Sequence, residues 1–162
     1  MNRVVITGIG IISCLGNNKK EVLASLLNSK SGLTLNSEYI ENGMRCHISG
    51  QVNPNLEVID RKMLRFMSET SAYAFLSTEE ALADSGLGIE DINNVSTGVI
   101  VGSGTGSSRE LKNVVDTARE KGVKRVGPYA VTRTMGNTTS AAISTFFQTK
   151  GVSFSIASAC ST

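Results

Sequence analysis

Apolar positions along the chain change their spacing several times, and each change marks a predicted element. Between Arg3 and Ile12 the residues Val4, Val5, Ile6 and Ile9 form a β-branched run without clean alternation. That is the pattern of a strand covered on both faces, and a central parallel strand is predicted there. Beyond Gly16 and Asn17, Val22, Leu23, Leu26 and Leu27 fall at helical spacing behind the charged turn Lys19, Lys20 and Glu21, predicting a helix over 19–29 ended by Gly32. Turn signals at Asn42-Gly43 and Asn53-Pro54 bracket a short strand over 46–52. From Asp60 to Asp84 there is no Gly or Pro. Leu64, Met67, Ser71, Ala74, Phe75, Thr78, Ala81 and Leu82 recur at three- and four-residue steps, predicting one long helix capped by Asp60 and closed by Gly86. A second β-branched run, 97–101, opens into the glycine loop Gly102 to Gly106. Helices over 108–120 and 129–149 follow, and a strand over 152–156 leads into Ala157-Ser158-Ala159-Cys160-Ser161-Thr162. Strand, glycine loop and helix in this order predict an α/β protein. The small residues of 129–149 permit close packing, and a sheet not fully clothed by helices leaves apolar surface uncovered.

Composition narrows the function classes. The chain has 162 residues, 40% hydrophobic and 19% charged, the size of one ordinary domain with a core of its own. Sixteen Lys plus Arg against fourteen Asp plus Glu give a net charge of +2, which argues against nucleic acid as the main partner. Gly8, Gly10 and Ser13 interrupt the apolar start, so no membrane helix is expected. That start also lacks the small-residue cleavage site of a secretory signal. Three cysteines, Cys14, Cys46 and Cys160, without CxxC spacing suggest neither a disulfide framework nor a zinc site, and a reducing cytoplasm is the expected compartment.

The candidate chemistry is sparse. Gly102 to Gly106 invites a phosphate-cradle reading, but its glycines fall at steps of two and it lacks the GK[ST] ending of a P-loop, so a tight turn or close backbone approach is the favoured reading. Gly8-x-Gly10 lacks the third glycine of a dinucleotide fingerprint, with Ser13 in its place. His47, the single histidine, lies in an undistinguished loop, and Cys14 and Cys46 read as buried small hydrophobes. Cys160 is different. A strand followed by small residues and a Cys is how a nucleophile is presented at a strand-to-helix turn, where a following helix supplies N–H groups and a positive dipole end. Two basic groups stand out: Arg61, Lys62 and Arg65 at the start of the long helix, and Lys121, Lys124 and Arg125 before Gly127-Pro128-Tyr129. Brought together in space, they make a patch suited to an acidic protein or a phosphate.

Four segments taken together, VVITGIGIISCLGNN, DRKMLRFMSETSAYAFLSTEEAL, VGPYAVTRTMGN and SIASACST, resemble the amino-terminal portion of the β-ketoacyl-[acyl-carrier-protein] synthases, most like the type I enzymes of bacterial fatty-acid synthesis. The resemblance runs over the whole chain and implies a thiolase-like α/β fold, a layered sheet with helices, of which residues 1–162 supply most of the first half as a domain incomplete at its carboxyl end. It implies a decarboxylating Claisen condensation. The active-site Cys accepts an acyl group from acyl carrier protein, and a carbanion derived from malonyl carrier protein attacks the thioester. Cys160 matches the nucleophile. Its N–H and the helix expected after it match the activating and oxyanion-stabilising groups.

By the same resemblance Met135 matches a residue lining the acyl pocket, and Arg61, Lys62, Arg65, Lys121 and Lys124 match carrier-protein-binding positions. No dissociable cofactor is implied, the substrates being carried on the phosphopantetheine of acyl carrier protein. A homodimer is implied for the complete enzyme, with no metal, nucleic-acid or membrane partner. Two histidines and a lysine of the family's second half lie beyond Thr162 and His47 matches neither histidine, so the 162 residues alone are expected to be inactive. Relatives of the chain-length-factor kind have lost the cysteine, and Cys160 argues against that branch. Two rival readings are a non-catalytic carrier-protein-binding module that keeps only the basic patch, and a nucleotide-binding α/β protein built on Gly102 to Gly106.

Overall fold

A computed structural model describes residues 3–162. In chain order the elements are α1 (Lys19–Leu27), β1 (Leu33–Leu35), α2 (Ser37–Glu41), β2 (Ile48–Gly50), α3 (Arg61–Leu64), α4 (Glu69–Ser85), α5 (Ile89–Ile92), β3 (Val99–Gly102), α6 (Ser108–Lys121), α7 (Ala130–Thr134), α8 (Thr138–Phe146) and β4 (Ser153–Ile156). β1 and β2 pair antiparallel. β3 and β4 pair parallel in the register Val99 with Ser153 and Gly102 with Ile156, so the glycine loop and the Cys160 turn leave the sheet side by side. A parallel pair needs a crossover, and α6 to α8 supply it.

The core is built where α4 and α8 meet behind β3. Ile59, Met67, Ala72, Phe75, Ile92, Val99, Ala142, Ile143 and Phe147 are buried together. Phe75 lies at the centre, stacked on Phe147 with ring centroids 5.0 Å apart and edge-on to Phe146 at 6.2 Å. The small residues of α8 do what their size permits. Thr138, Thr139, Ser140 and Ala142 are buried, Ser140 Oγ lies 2.7 Å from Ser155 Oγ, and Ser144 Oγ lies 2.8 Å from Ser153 Oγ. The helix is thereby held to β4 by paired hydroxyls.

Three expectations about elements are corrected. Residues 3–12 form no strand. They run along α4, where the Ile9 N–H donates to Asp84 Oδ2 (3.0 Å) and the Ile11 N–H to Glu80 Oε2 (2.9 Å), so carboxylates take donors that a neighbouring strand was expected to satisfy. Gly8 and Gly10 lie against the carbonyls of Ala81 and Ser77, where a Cβ would collide with helix backbone, which accounts for both glycines without a nucleotide. The continuous helix expected over 60–84 is broken, because Ser68 is extended and its hydroxyl accepts the Ser71 N–H, capping α4 afresh. Its expected ends hold: Asp60 caps α3 through the Lys62 N–H, and Gly86 closes α4 in the left-handed conformation. The helix expected over 129–149 is likewise split at Met135, whose backbone is extended. Smaller differences are that α1 stops at Leu27, short of Gly32, and that the strand expected over 46–52 is only Ile48–Gly50.

Asp84 also forms an ion pair with Lys19, and its carboxyl is held below the ordinary aspartate range, first by the Lys19 hydrogen bond and then by the Ile9 N–H. A depressed folded value means that the unfolded chain takes up the proton more readily. The contribution of this tether is therefore present above the ordinary aspartate range and is lost as pH falls through the lowered value. Hydrogen exchange at the Ile9 amide, corrected for its intrinsic pH dependence, is expected to lose protection across that acidic window. In Asp84→Ala protection is expected to be low and flat with pH, and constant protection in the native chain would contradict the tether.

Candidate active site

β4 delivers the chain to a single tight turn, Ala159–Ser161, that carries Cys160 at the surface. Ala159 adopts φ 52°, a left-handed conformation rare for a residue with a side chain. The turn is closed by its own hydroxyls. Thr162 Oγ1 accepts the Ser158 N–H at 2.7 Å, and Ser161 Oγ donates to the Ser158 carbonyl at 2.9 Å. The Ser161 and Thr162 amides donate to the carbonyls of Ser158 and Ala159, whereas the Cys160 N–H has no acceptor among the described residues. A thiol and a free backbone donor thus sit on the same residue, which suits attack on a carbonyl followed by stabilisation of its oxygen.

The glycine loop is the floor under this turn. A Cβ on Gly102 would lie 2.9 Å from Thr162 Cγ2, and one on Gly104 would lie 3.5 Å from the Ala159 carbonyl oxygen. At its other end Gly106 approaches Met135 and Gly136, and its carbonyl accepts from Thr70 Oγ1 at 3.4 Å. Close backbone approach therefore accounts for the loop. The loop joins the Cys160 turn to the Met135 turn, a juxtaposition that spacing alone does not reveal.

Met135 lines an apolar pocket of about 210 Å³ together with Phe66, Thr132, Thr138, Ala142 and Phe146. Phe66 also meets Tyr129 edge-on, with centroids 4.9 Å apart. That contact brings the end of α3, which carries Arg61, Lys62 and Arg65, toward the segment that follows Lys121, Lys124 and Arg125. All six cations are exposed, and none is paired with a carboxylate among the described residues. Arg65 directly precedes Phe66 in the chain, and Arg125 lies shortly before Tyr129.

The remaining candidates fall away from the site. His47 is exposed beside β2, its carbonyl accepting the Asn36 N–H, and no hydrogen bond joins it to Cys160 among the described residues. Cys46 is exposed and Cys14 only half-buried, contrary to the expectation of two buried thiols, because the small β1–β2 sheet has little cover. Among the described residues no cluster of His, Cys, Asp and Glu is suited to a metal, and no helix is long and apolar enough to cross a membrane. Phe66 and Thr162 were not singled out from the sequence. Phe66 follows the basic group directly and falls outside the apolar stripe of the long helix, and a hydroxyl two residues after a cysteine carries no signal of its own.

Among solved structures the fold matches a β-ketoacyl synthase from Burkholderia phymatum STM815, with a TM-score of 0.78 and 24% identity over 98% of this chain and 40% of that one. It also matches the AntDE:AntF complex, a type II PKS acyl-carrier protein with its ketosynthase, with a TM-score of 0.66 and 22% identity over 94% of this chain and 40% of that one. The architecture is the thiolase-like α/β fold of the ketosynthases. Residues 1–162 match the model of the β-ketoacyl synthase N-terminal domain, and the chain belongs to that family. It is 48% identical to 3-oxoacyl-[acyl-carrier-protein] synthase 1 of Haemophilus influenzae and 50% identical to the enzyme of that name from Escherichia coli K12, each over the whole of this chain. It spans 40% and 41% of the length of those two relatives.

Proposed function

We propose that the protein carrying this chain is a 3-oxoacyl-[acyl-carrier-protein] synthase of fatty-acid biosynthesis, with Cys160 as its acyl-accepting nucleophile. The observation that carries the reading is an exposed thiol on a left-handed turn, beside an unengaged N–H, in a chain about half identical to two synthases of that name. The Cys160 thiolate attacks the carbonyl of an acyl thioester borne on the phosphopantetheine of acyl carrier protein. A new C–S bond forms, the old one breaks, and the carrier leaves as its thiol after taking up a proton. Malonyl carrier protein then loses CO₂, and the electron pair of the broken C–C bond attacks the acyl-Cys160 carbonyl. The cysteine thiolate is released with the 3-oxoacyl product. The Cys160 N–H stabilises the oxyanion in both additions. Met135 and Phe66 receive the acyl chain in their apolar pocket, and no dissociable cofactor takes part.

Intact-mass analysis after incubation with acyl carrier thioester tests this reading. The expected result is one acyl adduct on the peptide containing Cys160 and none on Cys14 or Cys46. An adduct elsewhere, or none, would overturn it.

Arg61, Lys62, Arg65, Lys121 and Lys124 dock the acidic carrier protein, the complete enzyme is a homodimer, and it works in the cytoplasm. Support for docking is that these cations are exposed and unpaired among the described residues, and that the Phe66–Tyr129 contact joins the segments that carry them. Reversing Arg61 and Lys62 to Glu is expected to weaken carrier binding by roughly tenfold or more at low ionic strength, because like charges then face each other. Fluorescence anisotropy with a labelled carrier would follow the difference shrinking as salt approaches ~1 M. A salt-independent affinity unchanged by the double reversal would remove the docking assignment.

A further inference from the structure

Three features outside the chemistry described so far touch the nucleophile turn. Thr162 offers its hydroxyl oxygen to the Ser158 N–H at 2.7 Å and lies 3.4 Å from the Ser158 hydroxyl. Its methyl group occupies the space that a side chain on Gly102 would need. The residue between, Ala159, is held at φ 52°, a conformation that persists only where its surroundings enforce it. Among the described residues these surroundings are Thr162, Gly102 and Gly104. The Thr162 hydroxyl ties the end of the turn back to its start, the Thr162 methyl seats that tie on the glycine floor, and Gly104 stands under the Ala159 carbonyl.

We propose that Thr162 is a positioning residue for Cys160: its hydroxyl and methyl together clamp the left-handed turn that presents the sulfur, with Gly102 as the seat. The proposal rests on the reading of Cys160 as the acyl acceptor for its catalytic consequence, but not for its geometry. Thr162 touches no substrate in this role. Its effect is on how often the sulfur and the Cys160 N–H are presented together, which governs the rate of acyl transfer and leaves carrier affinity alone. The two halves of the clamp also separate chemically. Valine keeps the methyl and loses the oxygen, and serine keeps the oxygen and loses the methyl.

The experiment compares Thr162→Val, Thr162→Ser and Gly102→Ala with the native residue in the intact protein, reading kcat and KM for acyl transfer from carrier thioester. Thr162→Val is expected to lower kcat by about tenfold, the loss of one hydrogen bond at a strained turn, with KM unchanged. Thr162→Ser is expected to restore most of it. Gly102→Ala, which drives its new methyl against Thr162, is expected to reproduce the Val defect. A Val variant with native kcat, or a Ser variant as impaired as Val, would overturn the clamp.

A second measurement needs no acyl chemistry: the iodoacetamide alkylation rate of Cys160 divided by that of Cys46 in the same molecule, followed across pH. The ratio profile is expected to shift in Thr162→Val and Gly102→Ala and to return in Thr162→Ser. An unchanged profile overturns the proposal even if the native protein forms no acyl adduct, an outcome that by itself would sink only the acyl-acceptor reading. A variant that fails to fold is recognised by faster alkylation of half-buried Cys14, and the remaining variants then decide.

Discussion

Cys160→Ala is expected to abolish acyl transfer and condensation, with a loss on the order of 10⁴-fold or more, because removing the nucleophile of a cooperating site leaves only binding and the oxyanion donor. The same change is expected to leave the fold intact. The Cys160 thiol makes none of the described hydrogen bonds, so its removal leaves no partner unsatisfied among the described residues. The contrast makes the experiment decisive. Thermal unfolding should coincide with the native protein while the acyl adduct disappears from intact-mass spectra. Condensation remaining within about tenfold of native would mean that another group accepts the acyl chain, and the assignment of Cys160 would fall.

Phe75→Ala is expected to have the largest effect on stability. The ring is only 6% exposed, stacked on Phe147 and edge-on to Phe146, so truncation removes apolar burial and leaves a cavity where α4 meets α8. Such substitutions cost about 3–5 kcal/mol. For a folding unit of about 150–250 residues that corresponds to a melting temperature lower by roughly 6–20 °C. Calorimetry or circular dichroism would read it directly. A shift below about 3 °C would mean that the three rings do not form the centre of the core. Phe75→Leu keeps most of the volume and is expected to recover more than half of the loss.

The sequence was most legible where a local rule had no competitor. Asp60 and Gly86 act as caps because their backbone partners lie within the same turn, and the strand at β3 follows from a β-branched run that opens into glycines. It was least legible where periodicity continued through a break. Leu64, Met67 and Ser71 keep helical spacing, yet Ser68 turns its hydroxyl to the Ser71 amide and starts a new helix, a cap signal hidden inside a periodic run. Residues 3–12 show the converse error. Their composition suits a strand, but pairing is a tertiary decision, and Asp84 and Glu80 take the Ile9 and Ile11 amides. Of the site, Cys160 was readable from the small residues around it. The clamp at Thr162 was not, because the meeting of Thr162 with Gly102 depends on the parallel register of β3 and β4.

The paired hydroxyls between α8 and β4 set a limit on how this protein can diverge. At Ser140 with Ser155, and at Ser144 with Ser153, each oxygen can be donor or acceptor, so the contact tolerates a reversal of direction, and at buried Ser140 it leaves little room for an increase in size. A longer aliphatic side chain at buried Ser140 would press helix away from strand, and β4 continues directly into the Cys160 turn. Drift at Ser140 is therefore confined to residues of about the same volume. A substitution at that buried serine, well before Cys160 in the chain, would thus reach the thiol through β4.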